Sequence, residues 1–140
     1  MDELVWPVRR EVMNAVSRRM RENVIETLRL IADGEAQRRY QSQVPFVSVP
    51  HEMFNQWDDF FHPTFEDFKA AFSVNEFQAL LRFQGVMDVL GTQCARILPP
   101  LDEFQKTGVW IALSKAASDA LNVCERTTSN TEVDPDFRAP

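Results

Sequence analysis

Apolar side chains recur every three or four residues along most of this 140-residue chain, and that spacing constrains the fold more than any motif in it. On a helix such a pattern collects the apolar groups on one face, whereas a half-buried strand needs alternation at every second residue. Val8, Val12, Val16, Met20, Val24, Leu28 and Ile31 form the first stripe and predict a helix over 7–33. Pro7 then falls in the first turn, where its missing N–H costs least. The steps are mostly of four residues, so the stripe creeps about 40° per step and must wrap around its partners. Gly34 offers one end for this helix, but AQRRYQ goes on in helix-forming residues, and the boundary stays open. Only VPFVSVP, residues 44–50, has the texture of extended chain. One strand without a second makes no sheet, so the segment reads as a crossing connection.

Pro50 suits the start of a helix over 50–62, in which Met53, Phe54, Trp57, Phe60 and Phe61 fall within about 120° of arc and which Pro63 stops. Thr64 is expected to cap a brief helix over 65–72, with Phe65, Phe68 and Phe72 on one face. Ser73 and Glu76 read as a capping box opening a helix over 74–98, with Gly85 and Gly91 as weak points and Pro99 and Pro100 beyond its end. The cleanest stripe lies in a helix over 107–126, where Ala116, Ala117 and Ala120 admit close approach of a neighbour. Residues 127–140 are polar and proline-punctuated, and a flexible tail is expected there. The prediction is an all-α, single-domain bundle of four to five helices over residues 1–126. Nine of the eleven phenylalanines fall within residues 46–83 at helical spacing, and they are read chiefly as core, the alternative being that some line an exposed groove for a partner helix or an apolar ligand.

A net charge of −6 argues against general affinity for phosphate backbones. The charge is uneven: residues 1–40 carry eight basic and seven acidic side chains, leaving seven basic against fourteen acidic in the remainder. Such an asymmetry is compatible with an intramolecular complement between helices, with a bipolar surface, or with an acidic face that attracts a basic partner. Arg9, Arg10, Arg18, Arg19 and Arg21 point in several directions on a helix and alternate with Glu11, Glu22 and Glu26, as an ion-paired surface does. A nucleic-acid regulator using this segment is the minority reading. Cys94 and Cys124 fall on apolar helix faces and read as reduced core residues. No apolar run approaches the 18 or so residues of a membrane span, and MDELVWPVRR lacks the basic-then-apolar order of a signal peptide. A cytoplasmic protein is expected, with no membrane association.

Both histidines lie in the stretch VPHEMFNQWDDFFHP, residues 49–63, beside Glu52, Asp58 and Asp59. On a helix His51, Asn55, Asp58 and His62 take the side opposite the aromatics. The histidines are eleven residues apart, about 16 Å at 1.5 Å per residue, whereas zinc holds a ligand at about 2.1 Å. One metal cannot bind both there, so no metal, cofactor or catalytic residue is assigned. Asp58 and His62 are i, i+4, and a histidine in a last helical turn is favoured by the dipole as well as by that carboxylate. The chain lacks a glycine-rich phosphate loop, a G-x-S-x-G elbow, C-x-x-C, H-E-x-x-H and a calcium loop.

The residues Val44, Pro45, Val49, Pro50, Glu52, Trp57, Asp58, Asp59, His62 and Pro63, followed by Ala71, Phe72, Ser73 and Glu76, resemble the pattern of a family of small, uncharacterised bacterial helical proteins. The resemblance implies a bacterial source and a shared helical fold, and carries no catalytic residue. In size, acidity and absence of catalytic signatures the chain is also similar to the immunity proteins that neutralise basic bacterial toxins. The reading is therefore a non-catalytic protein-binding module acting through Glu52, Asp58, Asp59 and His62, with self-association open. The alternative is a metal-binding protein or enzyme using His51, Glu52, Asp58 and His62.

Overall fold

The computed structural model of the protein describes residues 14–93 and 97–137, with side chains described up to residue 126. The described residues form seven helices and no strand, in the order α1 (Ala15–Ala32), α2 (Gly34–Gln43), α3 (Val49–Phe60), α4 (Glu66–Ala70), α5 (Val74–Gln93), α6 (Leu101–Phe104) and α7 (Gly108–Phe137). The fold is all-α as expected, but seven helices replace the four to five of the sequence reading. None is long and apolar enough to cross a membrane.

The extra elements have local causes. Asn14, with extended backbone, caps α1 by accepting from Ser17 N–H, so the helix begins at Ala15 and not as one run from 7. Pro7 lies outside the described residues. Asp33 then leaves the helical region, and its Oδ1 accepts from the N–H groups of Glu35 and Ala36, so the chain stops one helix and starts another at a single residue. Gln37, fully buried on α2, turns its amide back to the last carbonyls of α1, donating to Leu30 O at 2.8 Å and Ile31 O at 3.1 Å. Its own oxygen accepts from Gln105 Nε2 and Trp110 Nε1, which ties the α1–α2 elbow to α6 and α7. A buried amide with all these partners costs little, and with any of them removed it costs a great deal.

Residues 44–48 form the expected connection, and Ser48 caps α3. Phe65, not Thr64, takes the N-cap position of α4, and no side chain caps that helix. The Ser73–Glu76 capping box is present: Ser73 N–H donates to Glu76 Oε1 at 2.9 Å and Glu76 N–H to Ser73 Oγ at 3.2 Å. Gly85 and Gly91 do not interrupt α5, while residues 97–100 are non-helical, so the helix stops short of 98. The backbone of α7 stays helical to Phe137 through residues assigned to the tail.

Helix α1 lies among α7, α3 and α4, and α7 packs against α5 as well. The core is one cluster: Val24, Leu28 and Ile31 of α1, Met53 and Trp57 of α3, Phe68 of α4, Leu80 and Phe83 of α5, Phe104 of α6, and Leu113, Ala117 and Cys124 of α7. Fully burying each large member contributes about 1.5–3 kcal/mol. Trp57 is its centre of aromatic packing, stacked on Phe61 at 4.8 Å and edge-on to Phe83 at 4.7 Å, with its indole N–H donating to Gln84 Oε1 at 2.7 Å.

Candidate functional site

The polar face of α3 is where the sequence places it, but its residues divide into two groups. Asn55, Asp58 and Asp59 are exposed, whereas His51 and Glu52 are half-buried. Glu52 Oε1 accepts from Gln56 Nε2 at 3.5 Å, a contact within the helix. His51 is not a free solvent-face group: its Nε2 accepts from Leu98 N–H at 3.1 Å, which selects the tautomer protonated at Nδ1 and ties α3 to the segment before α6. The helical wheel placed His51 correctly, but the chain returns 47 residues later to cover that side.

His62 differs from expectation too. Helix α3 ends at Phe60, so His62 lies in the turn beyond it, and no hydrogen bond or ion pair joins it to Asp58 among the described residues. Its ring stacks on Phe65 at 4.9 Å between centroids with 12° between planes. Phe65 remains 51% exposed. Asp58 and Asp59 thus stand in the last turn of α3, a few residues before the half-open His62–Phe65 stack, with no hydrogen bond or ion pair among the described residues. Carboxylates at that end face the negative pole of the helix dipole, and α3 carries no basic residue in its last turn. Local stability argues against both, at about 0.3–1 kcal/mol each.

The other conspicuous polar groups are engaged inside the fold. Arg21 reaches from α1 to Glu76 in a two-pronged ion pair, Nη1 to Oε1 at 2.9 Å and Nη2 to Oε2 at 3.0 Å. The Arg21 side chain is 14% exposed and that of Glu76 2%. The same guanidinium donates to Ala71 O and Cys124 O and lies 5.3 Å from the Phe72 ring centre, so it joins α1 to α5 and α7. Burial opposes its charge, but the Glu76 hydrogen bonds and charge outweigh that and hold Arg21 above its ordinary value. The reading of Arg21 as a solvated surface group is corrected here. Arg29 pairs with Glu125 of α7 on the surface. Arg9 and Arg10 lie outside the described residues. Cys124 is a buried thiol pushed up to about 12 by burial first and the Glu76 charge second, as a core cysteine should be; Cys94 lies outside the described residues. Among the described residues no three of His, Cys, Asp and Glu gather as metal ligands.

A second surface feature matches the minority reading of the phenylalanines rather than the core reading. The connection before α3 and residues 98–102 wall a groove of about 630 Å³, lined by Phe46, Leu98 and Pro99 among others, with Arg38 of α2 and Asp102 of α6 also on it. Phe46 is 91% exposed, and Ile97, one residue before the groove lining, is 80% exposed. The sequence pattern had assigned Phe46 to the core with the other phenylalanines; the available signal was its place between two prolines, outside any helical stripe. No protein-family model, curated protein or solved structure matches the chain.

Proposed function

We propose that the chain is a non-catalytic protein-binding module whose contact surface is the end of α3 and the turn after it: Asp58, Asp59 and His62 with Phe65, and Glu52 at the margin. One observation carries the reading: among the described residues Asp58 and Asp59 have no hydrogen-bond or ion-pair partner, at the helix end that disfavours them. Groups that sit against local stability point to a surface used for something other than the fold. Carboxylates beside an exposed aromatic ring suit lysine and arginine side chains, which pair with the first and lie over the second. The partner is therefore a basic protein surface, and a basic toxin neutralised by a bacterial immunity-type protein fits that description. We place the module in the cytoplasm, in keeping with a reduced cysteine in its core.

The test compares wild type with Asp58→Asn/Asp59→Asn as bait in source-cell lysate, with bound proteins read by mass spectrometry and both baits melted in parallel. A stoichiometric basic partner lost by a variant that melts no lower than wild type supports the reading. Equal retention by both baits refutes it.

A further inference from the structure

We propose that the groove beside Phe46 is the seat of a second copy of this chain, joined about a two-fold axis. Phe46 and Ile97 are the two most exposed large apolar side chains among the described residues; Phe46 lines this groove, and Ile97 immediately precedes the segment 98–102 that walls it. Pro45, Pro99 and Pro100 line it and present no backbone N–H, so the surface suits a ring better than a polar ligand. The patch therefore carries an aromatic knob and an apolar recess side by side.

Its charges settle which occupant fits. Arg38 and Asp102, one of each sign, lie on the same groove and both are exposed. Arg38 gives Nη1 to Gln105 Oε1 at 2.9 Å, which leaves its other N–H groups to donate elsewhere. Asp102 has no hydrogen bond or ion pair among the described residues. A basic partner would answer only Asp102, and an acidic one only Arg38. In an isologous pair residue i of one copy meets j of the other and j meets i. Phe46 of each copy then enters the recess of its partner, and Arg38 of each meets the other's Asp102. This association uses neither Asp58 nor Asp59, so it stands or falls independently of the basic-partner reading.

The experiment is sedimentation velocity on the full chain over a concentration series, with Phe46→Ser, Arg38→Asp, Asp102→Arg, and an equimolar mixture of the last two. Wild type should approach twice the monomer mass as concentration rises, and each single variant should weaken association tenfold or more. In the mixture both cross-contacts pair opposite charges again, so dimer should return. Phe46→Ser changes a side chain almost wholly in solvent, and it keeps the test sound if a charge variant misfolds. A wild-type chain that stays monomeric throughout, a dimer unchanged by Phe46→Ser, or a mixture of folded charge variants that does not associate would overturn the proposal.

Discussion

Replacing Glu76 by Gln changes one buried charge while keeping shape and an oxygen for the Ser73 cap. In the native chain that carboxylate takes two charge-assisted bonds from Arg21 and one from Ser73 N–H, with the side chain 2% exposed. The amide can accept one Arg21 N–H but turns its own donors toward the other, so the guanidinium keeps its charge and loses the Glu76 counter-charge. Removing one member of a buried pair costs about 3–5 kcal/mol, and the 14% exposure of Arg21 favours the lower end. About 3 kcal/mol is a large share of a stability of roughly 5–15 kcal/mol and corresponds to a fall in Tm of roughly 10 °C. Arg21→Met should cost a similar amount. The double variant should cost about 2 kcal/mol less than the sum, because each first change strands the group that the second removes. Urea denaturation followed by circular dichroism closes this four-member cycle. Additive losses, or single variants within about 0.5 kcal/mol of wild type, would show that the pair is no more than a surface contact.

Three further outcomes follow from the same geometry. In a Cys94→Ser background Cys124 should resist a disulfide reagent at pH 8 until urea unfolds the chain. Because burial raises its pKa from 9.0 to about 12, the unfolded chain loses that proton first, so the thiol's contribution to stability should fall as pH rises through this interval. His51→Leu removes the acceptor of Leu98 N–H; amide exchange at Leu98 should accelerate, with global stability lowered by only about 1 kcal/mol in urea. Gly34→Ala should destabilise by about 1 kcal/mol despite the better helix former, since the new methyl would meet Gln105 Nε2 and Trp110 at 3.2 Å and both are held by Gln37. A thermal melt that rises instead would show that those side chains yield freely.

What was legible in the sequence was what neighbours in the chain decide. The capping box between Ser73 and Glu76 spans three residues, and both of its bonds are where the pattern puts them. Val24, Leu28 and Ile31 of the first stripe are fully buried, as helical periodicity requires, whereas Val16 of the same stripe is 51% exposed. The break at Asp33 was hidden because the residues on both sides favour helix; an Asp followed by Gly and Glu was the one local sign of a fresh start. The functions of Arg21 and His51 were illegible for a different reason. Their partners Glu76 and Leu98 lie 55 and 47 residues away, and no periodicity encodes which of several outward-facing groups a later segment will cover. Of the candidate site, the helix face was readable. The stack of His62 on Phe65 was not, since it depends on where α3 ends.

The bonds from α1 to α7 also order events in time. Arg21 reaches Cys124 O and Arg29 reaches Glu125, sequence separations of 103 and 96 residues. At roughly 5–20 residues per second a growing chain finishes α1 about 5–20 s before residues 124 and 125 exist. Throughout that interval Val24, Leu28 and Ile31 lack the helix that covers one side of α1. Helix α1, the earliest of the described helices, is among the last of them to be enclosed, so its apolar face is open to chaperone capture or misassembly during synthesis, and a chain cut before α7 should behave as a collapsed intermediate rather than a smaller domain.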